Sequence, residues 1–260
     1  MKSNIVIIGS GHAGGMAAIA LRQKKYKGSI TLIGEEKFLP YQRPALSKDY
    51  LQSKLGETSL YLKSKKYYED KGITIIPQST VTGINSKNKT IVCNENKKID
   101  YSTLIIATGS LLNKLNYSNF KIHYLRTIPD ADAIKDILSK KKKIGIIGSG
   151  YIGLEIASIA ANNKANVHII EMEDRVMKRT SSKNLSMFFE QKHKSRGIIF
   201  HFNSSIQEIE NYNNKKQILL KNEEVIEVDE IIAGIGVKAN DKLAIMSNIE
   251  CDNGIIVNEY

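Results

Sequence analysis

The sequence predicts an α/β fold made of two parallel-sheet units, the second inserted into the first, and three observations carry that prediction. An apolar strand enters a glycine-rich loop at Ile5-Val6-Ile7-Ile8-Gly9-Ser10-Gly11-His12-Ala13-Gly14-Gly15. The same pattern returns at Ile144-Gly145-Ile146-Ile147-Gly148-Ser149-Gly150-Tyr151-Ile152-Gly153-Leu154, at a constant offset of 139 residues. Each loop opens a small-residue helix and is followed by a second apolar strand that ends at an acid, Glu35 or Glu171. Strand, G-x-G-x-x-G and helix in that order are the fingerprint of a βαβ unit that holds a dinucleotide. Two such units predict two dinucleotides on one chain, the arrangement for passing a hydride from one to the other.

In chain order, residues 4–9 read as a strand, 13–25 as a helix and 29–34 as a strand. The segment Leu39-Pro40-Tyr41-Gln42-Arg43-Pro44-Ala45-Leu46-Ser47-Lys48 cannot begin as a helix, because its prolines lack amide donors, and Ser47 is expected to cap a short helix after it. Residues 61–71 read as helical and 73–76 as a buried strand. Residues 80–84 and 89–93 alternate as an antiparallel pair turning at 85–88. An apolar strand over 104–110 ends in a tight turn, and a loop over 111–128 leads to a helix at 129–139. The second βαβ unit takes strand 144–148, helix 152–163 and strand 166–170. Helix 183–195, strand 198–202, an antiparallel pair near 205–221 and a strand at 231–236 complete the pattern. The turn at Gly109–Ser110 and the strand over 228–236 read as the points of exit and return. The expected division is a first domain in two parts, 1–110 and 229–260, around an inserted domain, 111–228.

Within each loop the glycines have separate tasks. Gly9 and Gly148 allow the turn, Gly11 and Gly150 let backbone approach a pyrophosphate, and Gly14 and Gly153 let the helix pack closely. The freed amides and the positive helix end hold the diphosphate. Glu35 lies 21 residues beyond Gly14 and Glu171 18 beyond Gly153, where a carboxylate accepts ribose hydroxyls. A carboxylate at Glu171 repels a 2′-phosphate, which favours NAD over NADP. The repeat also singles out Glu155, because the matching residue of the first unit is the apolar Met16. An acid on that helical turn needs a partner or a task.

Composition excludes several classes. No apolar run approaches the roughly 18 residues of a membrane helix, and the cytoplasm is the expected location. Cys93 and Cys251 form no C-x-x-C, and the five histidines make no ligand pair, so neither a metal site nor a redox disulfide is expected. The net charge of +11 fits an acidic partner, but no basic helix interleaved with aromatics points to nucleic acid. The run Lys140-Lys141-Lys142-Lys143 reads as a solvated loop.

The segment Pro40-Tyr41-Gln42-Arg43-Pro44-Ala45-Leu46-Ser47-Lys48, both glycine loops, Ala107-Thr108-Gly109 and Gly234-Ile235-Gly236 together resemble the NADH-dependent ferredoxin reductase family. These flavoproteins of the FAD-dependent pyridine nucleotide-disulfide oxidoreductase superfamily are similar to rubredoxin reductases and apoptosis-inducing factor. Tyr124-Leu125-Arg126-Thr127 and Arg175-Val176-Met177-Lys178-Arg179 extend the resemblance, which runs through essentially the whole chain. It implies two Rossmann-like dinucleotide-binding domains of three-layer ββα type, the NAD domain inserted in the FAD domain.

The resemblance puts FAD in the first site, with Gly11, Ala13 and Gly14 at its pyrophosphate and Glu35 at the adenosine ribose. Arg43 and Lys48 would run along the pyrophosphate and flavin, and Val81 would meet adenine through its backbone. Thr108, Gly109 and Arg126 would close that pocket. NADH would lie on Gly150, Tyr151, Ile152 and Glu171, with Arg179 at its adenosine end and Gly236 near the nicotinamide. Lys48 and Glu155 would pair beside the flavin as the catalytic groups. The activity implied is electron transfer from NADH through FAD to a ferredoxin- or rubredoxin-type iron–sulfur protein, an acidic carrier suiting the basic chain.

Two alternatives stand beside it: an NADH reductase of a small acceptor such as a quinone or the monodehydroascorbate radical, and a non-catalytic NAD-binding fragment. The first shares the Pro-Tyr-x-Arg-Pro-x-Leu-Ser-Lys segment. The second follows because Gly254–Tyr260 resembles the strand that precedes a further Gly-Asp motif and domain in the family, with Asn258 where an Asp is usual. By that resemblance the chain reads as C-terminally truncated.

Overall fold

The computed structural model of the chain describes residues 3–117, 119–140, 142–213 and 215–259. Lys141 and Tyr260, named above, lie outside the described residues. The chain divides into two compact units, one of Met1–Arg43, Glu57–Leu111 and Val237–Tyr260, the other of Pro44–Gly56 and Leu112–Gly236.

The first unit begins with β1 (Asn4–Ile8), α1 (His12–Gln23) and β2 (Ser29–Ile33). A short helix α2 (Lys65–Asp70), capped by the Ser64 hydroxyl, leads to β3 (Ile73–Ile76). An antiparallel sheet of β4 (Val81–Asn85), β5 (Thr90–Cys93) and β6 (Lys98–Asp100) precedes β7 (Thr103–Ile106). The parallel strands lie in the order β3-β2-β1-β7, with Ile8 opposite both Ile33 and Ile106. β1 is apolar almost without interruption because both its faces are covered. Ile5 and Ile7 pack with Ile30, Leu32 and the Ala18–Ile19 face of α1, while Val6, Ile8 and Ile33 pack with Val81, Ile91 and Cys93 of the antiparallel sheet. Helix, parallel sheet and antiparallel sheet are thus three layers of one core.

β8 (Ser110–Leu112) carries the chain out of this unit. The second unit follows with β9 (Ile122–Tyr124), α3 (Ile128–Leu138), β10 (Lys143–Ile147), α4 (Tyr151–Asn162) and β11 (Asn166–Ile170). Helix α5 (Lys183–Lys194) and β12 (Ile199–His201) come next. Antiparallel β13 (Ile206–Tyr212), β14 (Lys215–Leu220) and β15 (Val225–Val228) cover the sheet before β16 (Glu230–Ala233). The parallel order is β12-β11-β10-β16-β9. The first unit resumes with β17 (Val237–Ala239), paired with β8, and α6 (Lys242–Met246).

Several expectations change. The strand read as the chain's return, β16, belongs to the inserted sheet, hydrogen-bonded between β10 and β9, and the return falls at Val237. Its continuous apolar pattern fits either parallel sheet, so the sequence could not assign it. The expected loop at 111–128 contains the edge strand β9, too short to show a period. The helix expected over 61–71 spans only Lys65–Asp70, because Ser64 caps it there. Ser47 does not cap a helix: it ends a 3-10 helix at Arg43–Ser47. Lys142 is no solvated loop residue but pairs with Glu230 at 2.6 Å.

Candidate dinucleotide-binding sites

The two glycine loops have the same internal logic. Gly9 (φ +106°) and Gly148 (φ +94°) occupy backbone conformations that side chains resist. A Cβ at Gly9 would strike Ala107 O, and one at Gly148 would come within 2.7 Å of Gly234 O. A Cβ at Gly14 would strike Gly9 O, and one at Gly153 would strike Gly148 O. These four glycines are therefore demanded by the protein's own packing.

Gly11 and Gly150 are not. Their φ of −73° suits any residue, and a Cβ on either would meet nothing within 4 Å. Both are helix N-caps whose helices have no side-chain cap. The first-turn amides of α1 and α4 are left to something outside the loop, and the open side of the middle glycine lets it come close. A pyrophosphate meets both conditions, so the residues present fit a dinucleotide at each loop.

The acids differ in place. β2 ends at Ile33 opposite Ile8, and β11 ends at Ile170 opposite Ile147, so the position equivalent to Glu171 is Gly34 and the position equivalent to Glu35 is Met172. Reading Glu35 and Glu171 as one repeated position is therefore corrected by one residue. Glu35 is exposed, and its carboxylate has no partner among the described residues. Glu171 is tied down: Oε2 accepts from the Ser149 N–H at 2.8 Å and the Ser149 hydroxyl at 2.6 Å, and Oε1 from the Glu173 N–H at 2.9 Å. The acid that sequence reasoning missed is Glu36. Its two oxygens take Arg43 Nη2 at 2.5 Å and the Tyr41 hydroxyl at 2.7 Å, which orients the Arg43 guanidinium.

Arg43 and Lys48, read from one segment, fall in different units, because the second unit includes Pro44–Gly56. There Lys48 Nζ lies 2.7 Å from Glu155 Oε1, and the buried Ser47 hydroxyl donates to Glu155 Oε2 at 2.5 Å. Both oxygens of Glu155 are thus held by consecutive residues, and its side chain is 30 % exposed. The segment is fastened again by Tyr50, whose hydroxyl donates to Asp132 Oδ1 at 2.8 Å while Lys135 stands over its ring.

The remaining predicted residues fall as follows. Ala13 is exposed on the first turn of α1. Val81 starts β4 and is buried opposite Cys93. Thr108 donates its hydroxyl to Asn240 O at 2.7 Å, and Gly109 (φ +72°) accepts from the Asn240 N–H. Gly236 (φ +94°) ends the matching turn after β16 and accepts from the Asn113 N–H at 3.0 Å. Tyr151 and Ile152 are exposed on the first turn of α4. Arg179 is exposed, whereas Arg175 is spent on Ser181 O and the Ser186 hydroxyl and holds the turn before α5. Arg126 is part-buried beside the capping box of Thr127 and Asp130.

Part-buried ionisable groups of the second unit shift one another. Burial pushes Glu230 up, but Lys142 and Lys216 outweigh it and hold the carboxyl below its usual range. His168 stacks on His201, with Nδ1 2.9 Å from its Nε2, and burial, with help from Lys143 and His201, lowers it to about 4.

A family model described as pyridine nucleotide-disulphide oxidoreductase matches residues 3–260. The chain is 35% identical over 261 residues to rhodocoxin reductase of Rhodococcus erythropolis, covering 99% of this chain and 61% of that protein. It is 32% identical to putidaredoxin reductase of Pseudomonas putida, covering 100% of this chain and 64% of the relative. The crystal structure of the covalent putidaredoxin reductase–putidaredoxin complex superposes with a TM-score of 0.95 at 32% identity, over 99% of this chain and 64% of that one. The chain therefore spans less than two thirds of the length of these relatives.

Proposed function

Because the chain belongs to the pyridine nucleotide-disulphide oxidoreductase family, we propose that it passes electrons from NADH through FAD to a ferredoxin- or rubredoxin-type iron–sulfur protein. The observation that carries the reading is the pair of middle glycines, Gly11 and Gly150, which no contact within the protein requires and which a bound diphosphate explains.

The first loop would hold FAD, with Gly9, Gly11, Ala13 and Gly14 at the pyrophosphate and Glu35 at the ribose. Arg43, oriented by Glu36, would add a fixed cation. Val81, Thr108 and Gly109 would line the rest of that site. The second loop would hold NADH on Gly148, Gly150, Tyr151, Ile152, Gly153 and Glu171, with Arg179 and Gly236 at its two ends. Bound flavin supplies the conversion between two-electron donation and one-electron delivery. The protein's own contribution is to place Lys48 as a fixed donor, by means of Glu155 and Ser47. Both cysteines are free, which supports an external acceptor and a cytoplasmic location. The net charge of +11 supports an acidic partner, and the putidaredoxin complex of the relative supports a redoxin as that partner.

A visible absorbance spectrum tests the proposal. The purified chain with FAD should retain flavin through desalting, and anaerobic NADH should bleach it. Re-oxidation should then be faster with a ferredoxin than with a quinone. A chain that retains no flavin defeats the reading of the first site, and equal rates with both acceptors defeat the partner.

A further inference from the structure

Ser149, between Gly148 and Gly150, is fully buried, and both its donors are aimed at one atom, Glu171 Oε2. A carboxylate oxygen has two lone-pair sites, so Ser149 fills Oε2, and the Glu173 N–H takes one site on Oε1. One acceptor site on Oε1 is left for a ribose hydroxyl. We propose that Ser149 is a positioning residue that sets how strongly the second loop prefers a nicotinamide dinucleotide without a 2′-phosphate, by pinning the Glu171 carboxylate at the end of β11. The proposal rests on the reading of this loop as the NADH site.

The physical reason is preorganisation. A long acidic side chain free to change rotamer swings away from an incoming phosphate, and its charge then rejects little. Held by three donors, the carboxylate meets a ribose hydroxyl with no further ordering and meets a 2′-phosphate with its full like charge. The first unit has the same serine, Ser10, but Gly34 stands opposite it, and the side chain of Ser10 fills the space where a Cβ of residue 34 would lie. The serine is common to both loops; the clamp exists only in the second.

The test is the affinity of the full chain for NADH and for NADPH, measured by calorimetry with wild type, Ser149→Ala, Ser149→Cys and Glu171→Gln. Wild type should prefer NADH by about tenfold or more. Ser149→Ala should weaken NADH about threefold to tenfold while leaving NADPH unchanged or tighter, so that the preference collapses. Ser149→Cys, of similar shape and with a weak donor, should recover part of it. In the Glu171→Gln background, Ser149→Ala should change the preference no further.

Equal weakening of both nucleotides, no change, or additive effects of the two substitutions would each overturn the proposal. Far-ultraviolet dichroism confirms that the variants compared are folded. A folded wild-type chain that binds neither nucleotide, or both alike, defeats the reading of the loop itself and the proposal with it.

Discussion

In the first unit the Gly34 N–H donates to Ile76 O, while the Ser79 and Gln78 N–H groups donate to Gly34 O and Glu36 O. In the second, the Glu171 N–H donates to His201 O, and the Ser204 and Asn203 N–H groups donate to Glu171 O and Glu173 O. The two loops after the second strand are the same backbone, and Gln78 and Asn203 share a positive φ near +50°. On that common frame stand different side chains: glycine against glutamate at the strand's end, and Met16 against Glu155 on the helix. Backbone bonding builds the same frame twice, and the side chains that project from it are what distinguish the two loops. A repeat offset counted along the sequence does not reveal this, because the two units reach the end of the second strand after unequal numbers of residues.

The sharpest way to break the comparison is to separate the glycines. Gly14→Ala and Gly153→Ala, which drive a carbon into a backbone oxygen, should each cost about 2–4 kcal/mol, read as a fall in thermal midpoint. Gly11→Ala and Gly150→Ala should leave stability within about 1 kcal/mol yet weaken FAD or NADH binding, respectively, by tenfold or more. If Gly11→Ala unfolds the chain, the middle glycine has a structural task after all.

Acid should expose an asymmetry of the next size. All the histidines but His12 lie in the second unit. Folded His168 takes its proton near pH 4, whereas an unfolded histidine does so near 6.5, so the unfolded state binds more protons between those values. Stability should be complete above about pH 6.5 and fall as pH drops toward 4. The loss is on the order of 1–2 kcal/mol once solvent screening of the half-buried ring is allowed for. His123, also lowered by burial, acts in the same direction. Hydrogen exchange should show the second unit loosening first, and His168→Gln should flatten the dependence.

The smallest effect on stability is expected at the ion pair. Lys48 is 53 % exposed, so Lys48→Ala should cost no more than about 1 kcal/mol. The same change should slow flavin reduction by NADH severalfold or more in stopped flow. A larger loss of stability than of rate would make the pair structural.

Both units were legible in the sequence because an unbroken apolar strand running into that glycine spacing suits a dinucleotide loop and little else. Glu155 was legible because an acid broke the symmetry with Met16, whereas its pairing with Lys48 followed only from the family resemblance. Glu36 and Ser149 were not: each acts through a contact set by loop geometry, and Glu36 is one of two adjacent acids that nothing in the sequence ranks. The assignment of β16 was illegible for a different reason, since a fully buried parallel strand looks the same in either sheet. Ser47 was misread because serine before a turn usually caps a helix, whereas here its hydroxyl reaches a residue 108 positions away.

The grouping of Pro44–Gly56 with the inserted unit reaches beyond enzymology. Leu46, Tyr50 and Leu51 of this short excursion are buried, and Ser47 and Lys48 hold Glu155. A gene fragment cut at 112–236 would contain every strand of the inserted sheet and still omit these residues, leaving Glu155 without the two donors that hold it. Neither unit is a cassette that recombination could transplant in one piece. Exchange of this unit between proteins has to carry a second, distant stretch of coding sequence with it.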